Sequence, residues 1–312
     1  GDVTLFADGV RLLTERAGIP VLGVLPYLRG LALDQEDSLD VGARGQVAFT
    51  ADRVNIAVLL VPHMSNFTDF NALADEADVA LQYVAIPDEA AGAGVIVLPG
   101  SKTTLSDLAY LREKGFEPRL HAHVQTGREL IGICGGYQML GRWIADPDAV
   151  ETGGEGAGFG LLPVTTVLAR DKVTEQVEGQ ALHVDGAPML PVRGYLIHMG
   201  RTDRAGLRPC FRLLRKRAGI ACSGTGTGLE QDCHDGAVRP DGLVWGTYVH
   251  GLFDRPEFRR AWLNRLRSRK GLSARPLTDS QRVTETRSGA MDRWADHVDR
   301  HLDLAPVLAW LR

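Results

Sequence analysis

The sequence predicts an α/β protein of three layers, in which a mostly parallel sheet carries helices on both faces. Two observations support this fold class. Apolar runs recur in the first half of the chain, beginning with VNIAVLLVP at residues 54–62, and unbroken runs of this kind are typical of buried parallel strands. Helix-forming stretches, such as residues 106–114, separate these runs. That alternation predicts helices packed against a parallel sheet.

Further strands and helices follow in chain order. A helix is expected at residues 70–77, and strands are expected at VALQYVAI, AGVIVLPG and RELIGICGG. The second half contributes GLLPVTTVL, VRGYLIHMG and LVWGTYVHG, whose looser alternation predicts some antiparallel or peripheral strands. Apolar residues at spacings of three and four predict two amphipathic helices near the C-terminus, at residues 255–271 and 291–311.

A polar connector divides the chain into two predicted parts. Residues 9–20 predict a helix and residues 21–25 a strand, which together would end an αβ unit. The following stretch, residues 29–46, is acidic and contains glycine, as connectors commonly do. We therefore expect a first part over residues 1–50 and a second part over residues 51–312, which includes the C-terminal helices.

Composition and charge argue against several functional classes. The 312 residues carry a net charge of −4, so no polyanion-binding surface is expected and nucleic acid is not a predicted partner. Neither a secretory signal nor an apolar window of about 18 residues is found, which argues against a membrane partner. Four cysteines in a chain of this length predict a reducing, cytoplasmic location. Because the sequence starts with Gly1, we expect it to be part of a longer protein.

One cysteine has the sequence setting of a nucleophile. In ELIGICGGYQMLG, Cys134 stands between an apolar strand and two glycines that lead into a helix. This is the layout of a nucleophile elbow, in which a strained turn at the carboxyl end of a strand exposes the reactive side chain. The helix start favours a thiolate, and the amide of Gly135 there could hold a developing oxyanion. The alternative is a buried structural thiol at a glycine turn.

A cysteine nucleophile requires a base, and nine histidines compete for that role. His250 directly follows an apolar β-rich run, so it is expected at the same sheet edge as Cys134. His198 in GYLIHMGRT is the second candidate. Four others lie in helical stretches and are expected on solvated faces: His121, His123, His297 and His301.

Two other patterns were considered as ligand sites. In VIVLPGSKTTLSDL, a serine separates the glycine from the lysine, so the phosphate-binding loop of nucleotide-binding proteins is not matched. This turn instead offers the amides of Gly100 and Ser101 to an anion that forms beside Cys134. The paired CxxC spacing of a metal site is lacking, so no metal is expected at the remaining candidates: Cys222, Cys233 and His234.

Four motifs resemble the class I glutamine amidotransferase domain of the cobyric acid synthase group, in the chain order VLPGSKTT, LIGICGGYQMLG, GYLIHMGRT and VWGTYVHGLFD. VNIAVLLVPHMSNFTDFNAL is similar to the segment that opens this domain. Residues 18–39 resemble the end of the N-terminal ATP-dependent synthetase domain of this group. The resemblance covers nearly the whole chain and is weakest at residues 208–240. It implies the class I glutamine amidotransferase fold.

The resemblance also implies site residues. Cys134 would attack the amide carbon of glutamine, and His250 would carry protons to ammonia and from water. Four residues would bind the substrate or its oxyanion: Gly100, Ser101, Gly135 and Gln138. For Gln138 the alternative is a solvated helix residue. The sequence departs from related patterns at Leu252, where many class I enzymes have a glutamate, so it does not identify the group that orients the histidine. A second departure is Leu196, where the family usually has a glutamate.

Ammonia would then pass to the synthetase domain, which uses ATP and Mg²⁺. The implied acceptor is a corrinoid, adenosylcobyrinic acid a,c-diamide, whose side-chain carboxylates are amidated on the way to cobalamin. No cofactor is expected in this chain itself, because the ATP-binding loop of the synthetase domain is absent from it. Two alternatives stay open. The chain could serve a related enzyme with another acceptor, of the cobyrinic acid a,c-diamide synthase or cell-wall amidating type, or it could be a degenerate domain that binds a partner.

Overall fold

A computed structural model describes residues 6–28, 47–182, 189–215 and 231–310. The chain divides into two compact units. The first contains the described parts of Gly1–Asp34 and Arg282–Arg312, and the second contains those of Gln35–Gln281. Among the described residues, no helix combines the length and the apolar character that a membrane span requires.

The helices and strands alternate through most of the second unit. The α-helices of the described residues are α1 (Ala7–Ala17), α2 (Asn71–Ala74), α3 (Thr104–Glu113), α4 (Phe116–Gln125), α5 (Gly135–Met139), α6 (Pro256–Arg269), α7 (Leu277–His301) and α8 (Ala305–Trp310). The strands are β1 (Val54–Leu59), β2 (Met64–Ser65), β3 (Val79–Val84), β4 (Val95–Leu98), β5 (Gly100–Ser101), β6 (Glu129–Ile133), β7 (Trp143–Asp146), β8 (Gly154–Ala157), β9 (Thr165–Ala181), β10 (Leu190–Asp203), β11 (Phe211–Arg215), β12 (Gln231–Asp235), β13 (Ala237–Val238), β14 (Val244–Thr247) and β15 (Val249–His250).

A six-stranded sheet forms the centre of the second unit, in the order β13-β14-β6-β4-β1-β3. All neighbouring strands are parallel except β13 and β14. Strands β1, β4 and β6 are buried along their whole length, as their apolar sequences predicted. Because parallel strands end at the same edge, β4, β6 and β14 bring the segments that follow them together. The predicted α/β fold class is confirmed.

A second sheet of seven strands is mostly antiparallel and is built on the long hairpin of β9 and β10. The looser alternation of the second half had predicted such strands, and this is confirmed. Strand β15 starts two residues after β14 ends and pairs with β10, with Tyr195 opposite His250. The chain therefore leaves the parallel sheet and joins the second sheet just before His250, which places this residue between the two sheets.

One buried carboxylate ties α6 to the parallel sheet. Glu129 at the start of β6 has no exposed surface. Its oxygens accept hydrogen bonds from Trp245 (2.7 Å), Trp262 (2.9 Å), Arg265 (2.7 and 2.8 Å) and Arg269 (3.0 Å). A buried charge is tolerated when every lone pair is used in this way, and removal of one partner is strongly destabilising.

The first unit differs from the sequence expectation in two respects. The strand predicted at residues 21–25 is wrong, because these residues form only a single bridge, between Gly23 and Leu302, and a strand requires a neighbour along its length. Residues 282–310 cluster with residues 6–28, whereas the sequence had suggested the second domain for them. The amide of Asp303 donates to the carbonyl of Leu22 at 2.8 Å, which is one of the contacts that hold this unit together.

Candidate active site

Cys134 occupies a strained turn between β6 and α5. Its φ is 51° and its ψ is −109°, a conformation that residues with a side chain rarely adopt. Two backbone hydrogen bonds hold it: the amide of Cys134 donates to the carbonyl of Thr247 (2.8 Å), and its carbonyl accepts from the amide of Gln138 (3.1 Å). The predicted elbow geometry is therefore present.

The two glycines after the cysteine are required by close backbone approaches. A Cβ atom on Gly135 would lie 2.9 Å from the amide nitrogen of Ser101. A Cβ atom on Gly136 would lie 2.0 Å from the carbonyl oxygen of Leu98, at the end of β4. Contacts this short with backbone atoms cannot be relieved by side-chain movement. The glycine pair thus allows the elbow to pack directly against the turn that follows β4.

The sulfur of Cys134 contacts groups from both sheets. Only 7% of the residue is exposed, and Sγ donates to the carbonyl oxygen of Ile197 on β10 at 3.6 Å. The side chain of Cys134 also interacts with His250 closely enough to raise the pKa of the imidazole. The thiol is therefore buried, as the structural alternative predicted, but it faces polar groups that can exchange a proton with it.

His250 is completely buried and is held at one nitrogen by a carboxylate. Its Nδ1 lies 2.7 Å from Oδ2 of Asp69, whose other oxygen accepts from the amide of Gly251 at 2.7 Å. The ring of Tyr195 stacks on the imidazole with 5.3 Å between centroids. Nδ2 of Asn66 lies 3.1 Å from Nε2. Asp69 is thus the orienting group that the sequence did not identify.

Opposing effects determine the charge of His250. Burial lowers the pKa of His250, but the charge of Asp69 and the hydrogen bonds to Asp69 and Cys134 raise it to about 10. The imidazole is therefore protonated at neutral pH. A ring fixed at Nδ1 presents its other nitrogen, Nε2, for proton exchange.

The turn after β4 lies against the elbow. Gly100 and Ser101 form β5, which pairs with β2. A Cβ atom on Gly100 would lie 3.3 Å from Cε1 of His250, and the amide of Ser101 approaches Gly135 as described above. The structure thus brings together the predicted residues Gly100, Ser101 and Gly135 around the cysteine and the histidine.

A buried aspartate holds this turn in place. The hydroxyl of Ser101 donates to Oδ2 of Asp107 at 2.6 Å and accepts from the amide of Thr103 at 3.0 Å. Asp107 has no exposed surface, and its Oδ1 contacts Nδ1 of His63 at 2.8 Å. The backbone amides of the turn are therefore fixed before a substrate arrives, which is the preorganisation that an oxyanion site requires.

Gln138 points into the site from α5. It is 3% exposed, so the alternative of a solvated helix residue is wrong. Its Oε1 accepts from the hydroxyl of Thr104 and its Nε2 donates to the hydroxyl of Tyr248, both at 3.1 Å. Thr104 is also bonded through its amide and its hydroxyl to the carboxylate of Glu151. The role of Gln138 toward glutamine stays a prediction.

The remaining histidines have structural contacts. His198 stacks on Tyr248 at 3.9 Å and its Nδ1 lies 2.9 Å from the carbonyl of Gly200, which favours His250 over His198 as the base. The solvated face predicted for His123 is wrong: the residue lies on the core side of α4. Burial lowers the pKa of His123 to about 4, and its Nε2 is bonded to the carbonyl of Glu129. His297 is likewise only 6% exposed, contrary to expectation.

Two leucines stand where related patterns have a glutamate: Leu252, where many class I enzymes have one, and Leu196, where the family usually has one. Leu252 and Leu196 are both 1% exposed and pack among apolar residues. Within the described ranges no three His, Cys, Asp or Glu side chains are grouped as a metal site would require. Cys222 and the other residues of 216–230, which belong to the stretch 208–240, lie outside those ranges.

Comparison with known proteins gives a consistent family. The model of the CobB/CobQ-like glutamine amidotransferase domain matches residues 55–258. The cobyric acid synthase of Syntrophobacter fumaroxidans is 39% identical over 317 residues, which cover 98% of this chain and 59% of that protein. The cobyric acid synthase of Citrobacter koseri is 45% identical, over 98% of this chain and 58% of its own length. The chain thus spans less than two thirds of these curated relatives. These matches confirm the resemblance that the four motifs indicated.

Among solved structures, PurLQS from Thermotoga maritima aligns with a TM-score of 0.46 and 16% identity, over 77% of this chain and 99% of that chain.

Proposed function

The chain belongs to the family of CobB/CobQ-like glutamine amidotransferase domains, and from this premise we propose that it hydrolyses glutamine to supply ammonia for the amidation of a corrinoid. The contact of Cys134 with a histidine that Asp69 orients is the single observation on which the proposal rests. A strained cysteine, a protonated imidazole and preformed amides next to one another support a glutaminase more than a degenerate scaffold.

The proposed reaction has two halves. The proton of the Cys134 thiol passes to Nε2 of His250, and the thiolate attacks the amide carbon of glutamine. Nε2 then gives this proton to the departing nitrogen, so that ammonia leaves and a glutamyl thioester forms. A water molecule then attacks the thioester while His250 accepts its proton. Glutamate is released and the thiol is restored. Asp69 acts through the ring, as a positioning residue that fixes the nitrogen facing the reaction.

The oxyanion of each tetrahedral intermediate is assigned to backbone amides at Gly100, Ser101 and Gly135. The contacts of Ser101 with Asp107 and Thr103 support this, because fixed amides need not reorganise during the reaction. Gln138 is assigned to the bound glutamine, one helical turn from the nucleophile.

We assign the use of the ammonia to a synthetase domain that the resemblance places N-terminal to this one. Residues 1–50 are proposed to belong to the end of that domain and to the linker. ATP and Mg²⁺ are assigned to this synthetase domain, as the resemblance implies. The proposed acceptor is adenosylcobyrinic acid a,c-diamide, and the proposed location is the cytoplasm, where thiols stay reduced.

The nucleophile can be tested with two alanine variants. Cys134→Ala should lower glutamate production from glutamine by at least about 1,000-fold, whereas Cys233→Ala, at a half-buried cysteine on β12, should stay near the wild-type rate. Labelling with 6-diazo-5-oxonorleucine, followed by mass spectrometry, should modify Cys134 alone. Full activity of Cys134→Ala, or selective labelling of another residue, would overturn the proposal.

The acceptor can be tested with a protein that includes the synthetase domain. With ATP, Mg²⁺ and glutamine labelled with ¹⁵N at the amide, the label should enter adenosylcobyrinic acid a,c-diamide. Transfer of the label only to cobyrinic acid or to a cell-wall precursor would instead establish one of the related acceptors.

A further inference from the structure

The polar segment SNFTDFN, residues 65–71, contacts both ring nitrogens of His250. It contains a short 3₁₀ helix, Phe67–Phe70, which Asn66 directly precedes. Residues three positions apart in a 3₁₀ turn lie on the same side, and here Asn66 and Asp69 are three apart. Asp69 lies 2.7 Å from Nδ1 of the ring, and Nδ2 of Asn66 lies 3.1 Å from Nε2. One turn of chain therefore holds the imidazole at both nitrogens.

This turn is fixed by contacts that do not involve the side chain of Asn66. Before it, Ser65 pairs with Gly100 between β2 and β5. At its end, Phe70 has no exposed surface. The backbone amide of Asp69 donates to the carbonyl of Asn66 at 3.0 Å, which closes the turn. The position of Asn66 is thus set by the backbone, and its side chain is available for another role.

The side chain of Asn66 does not cap the 3₁₀ helix that it precedes. Asparagine at this position commonly accepts a hydrogen bond from a backbone amide of the first turn, but among the described residues its side chain makes no such bond. Its backbone has φ 51° and ψ 41°, a left-handed conformation that asparagine tolerates and glycine adopts without cost. Glycine would therefore serve a purely structural role equally well. The half-buried amide group is instead directed at the nitrogen that exchanges protons.

An amide group can bond to Nε2 of His250 in both charge states of the ring. A neutral Nε2 accepts from Nδ2 of Asn66, and a protonated Nε2 donates to Oδ1 after a half-turn about the Cβ–Cγ bond. The proposed reaction takes His250 through both states, because Nε2 gives one proton to ammonia and takes another from water. The sulfur of Cys134 cannot hold Nε2 throughout, since it is bonded to the substrate in the thioester.

We propose that Asn66 is a second positioning residue for His250, which keeps Nε2 aligned with the reacting atoms while its proton is given up and regained. Asp69 fixes the ring at Nδ1, and Asn66 fixes it at Nε2. The assignment rests on the proposed glutaminase function. The other groups that face the ring are Cys134 from the elbow and Tyr195 from β10, and neither can both donate to and accept from Nε2 throughout the reaction.

Two substitutions of Asn66 test the assignment in assays of glutamate formation. Asn66→Gly removes the amide and suits the left-handed backbone. Its kcat should fall about 10- to 100-fold, while KM changes less than about threefold and the melting temperature stays within about 3 °C of the wild type. Asn66→Asp keeps the size of the side chain, but its carboxylate only accepts and therefore holds the proton on Nε2. Its kcat should also fall at least about 10-fold.

The matched control is Ala205→Gly. Ala205 has a φ of 49° and lies at an exposed turn, so this substitution makes the same backbone change away from the site. It should leave kcat unchanged. Wild-type kcat in Asn66→Gly would overturn the assignment. A loss of kcat together with a melting temperature more than about 5 °C lower would also overturn it, because it would show that the side chain is needed for the fold.

NMR of the chain with ¹⁵N-labelled histidine distinguishes failure of this assignment from failure of the proposed function, because it requires no turnover. The Nε2 proton of His250 should exchange with water at least about 10-fold faster in Asn66→Gly than in the wild type, since its acceptor is gone. At about pH 10, where half of the wild-type rings are protonated, the ring of Asn66→Asp should stay protonated, because a second carboxylate favours the charged form.

The two measurements together decide between the outcomes. If the chain hydrolyses no glutamine but both NMR differences are found, the proposed function is wrong and the contact of Asn66 with Nε2 stands. If proton exchange at Nε2 is the same in Asn66→Gly and in the wild type, the assignment of Asn66 is wrong, whether or not glutamine is hydrolysed.

Discussion

Replacement of Asp69 by asparagine removes the charge next to His250 at nearly constant volume. Asp69 lies 2.7 Å from Nδ1 of the ring and is 3% exposed. Without its charge, burial remains as the largest influence and lowers the pKa of His250. We expect the imidazole of the variant to be neutral at pH 7. It would then lack the proton that Nε2 gives to ammonia.

The size of the effect follows from the charge state of the ring. General acid–base catalysis contributes about 10²- to 10⁴-fold to a rate, so Asp69→Asn should lower kcat/KM for glutamine by a factor in this range. The pKa of His250 is about 10 in the folded protein and 6.5 as the reference value. A raised pKa stabilises the fold fully below pH 6.5, and this stabilisation is lost as the pH rises to about 10. Its upper limit is about 5 kcal/mol.

Rates and stabilities should therefore be measured over pH. Glutamate formation by the wild type, by Asp69→Asn and by the exposed control Asp75→Asn should be followed between about pH 6 and 10, with urea unfolding at the same values. The stability difference between wild type and Asp69→Asn should be largest at pH 6 and should shrink toward pH 10. If Asp69→Asn keeps the wild-type kcat/KM and His250 still titrates near pH 10 by NMR, another group orients the ring and the reasoning is refuted.

Three further substitutions follow from buried contacts. Glu129→Gln should lower the free energy of unfolding by about 3–5 kcal/mol, because it removes the buried negative charge to which Arg265 and Arg269 donate. Urea unfolding of the exposed control Glu113→Gln should show almost no change. Gly136→Ala should destabilise the folded protein by about 3 kcal/mol or prevent folding, because its Cβ would meet a backbone oxygen at 2.0 Å. The control Gly289→Ala, whose Cβ would meet nothing within 4 Å, should stabilise α7 by about 0.5–1 kcal/mol. Similar melting temperatures for the two variants would contradict this. Ser101→Ala should lower kcat about 10-fold with little change in KM, because a hydrogen bond worth about 1.5 kcal/mol no longer fixes the turn; a change confined to KM would argue against an oxyanion role.

The parts of the site that the sequence predicted are those whose geometry is set locally. Cys134 and its glycines follow one strand directly, and His250 follows another. Because parallel strands end at one edge, the strand pattern alone predicted that these segments meet. The turn at Gly100 was predicted for the same reason.

Asp69 could not be assigned because its role depends on a contact distant in sequence. Asp69 is 181 residues from His250, and the segment SNFTDFN carries no periodicity that points to a histidine. The sequence therefore offered a carboxylate but did not show which side chain it contacts.

The strand expected at residues 21–25 shows the opposite error. Its apolar, β-branched composition is correct for a strand, but strand formation depends on a neighbour with which to share hydrogen bonds along its length. The structure provides one bridge at Gly23. Composition therefore predicts a preference for the strand conformation, and a neighbouring strand decides whether a strand forms.

The backbone at Cys134 has a consequence for how this protein could be made more robust. At φ 51° and ψ −109°, any side chain is disfavoured relative to glycine by about 1–3 kcal/mol. Cys134→Gly should therefore melt at a higher temperature than Cys134→Ala, although both lack the thiol. Selection for thermal robustness alone would remove the sulfur from this position. Cys134 stands here in spite of its unfavourable conformation, which indicates that reactivity and thermal stability compete at this residue. Designs that aim to stabilise the protein should leave Cys134 unchanged.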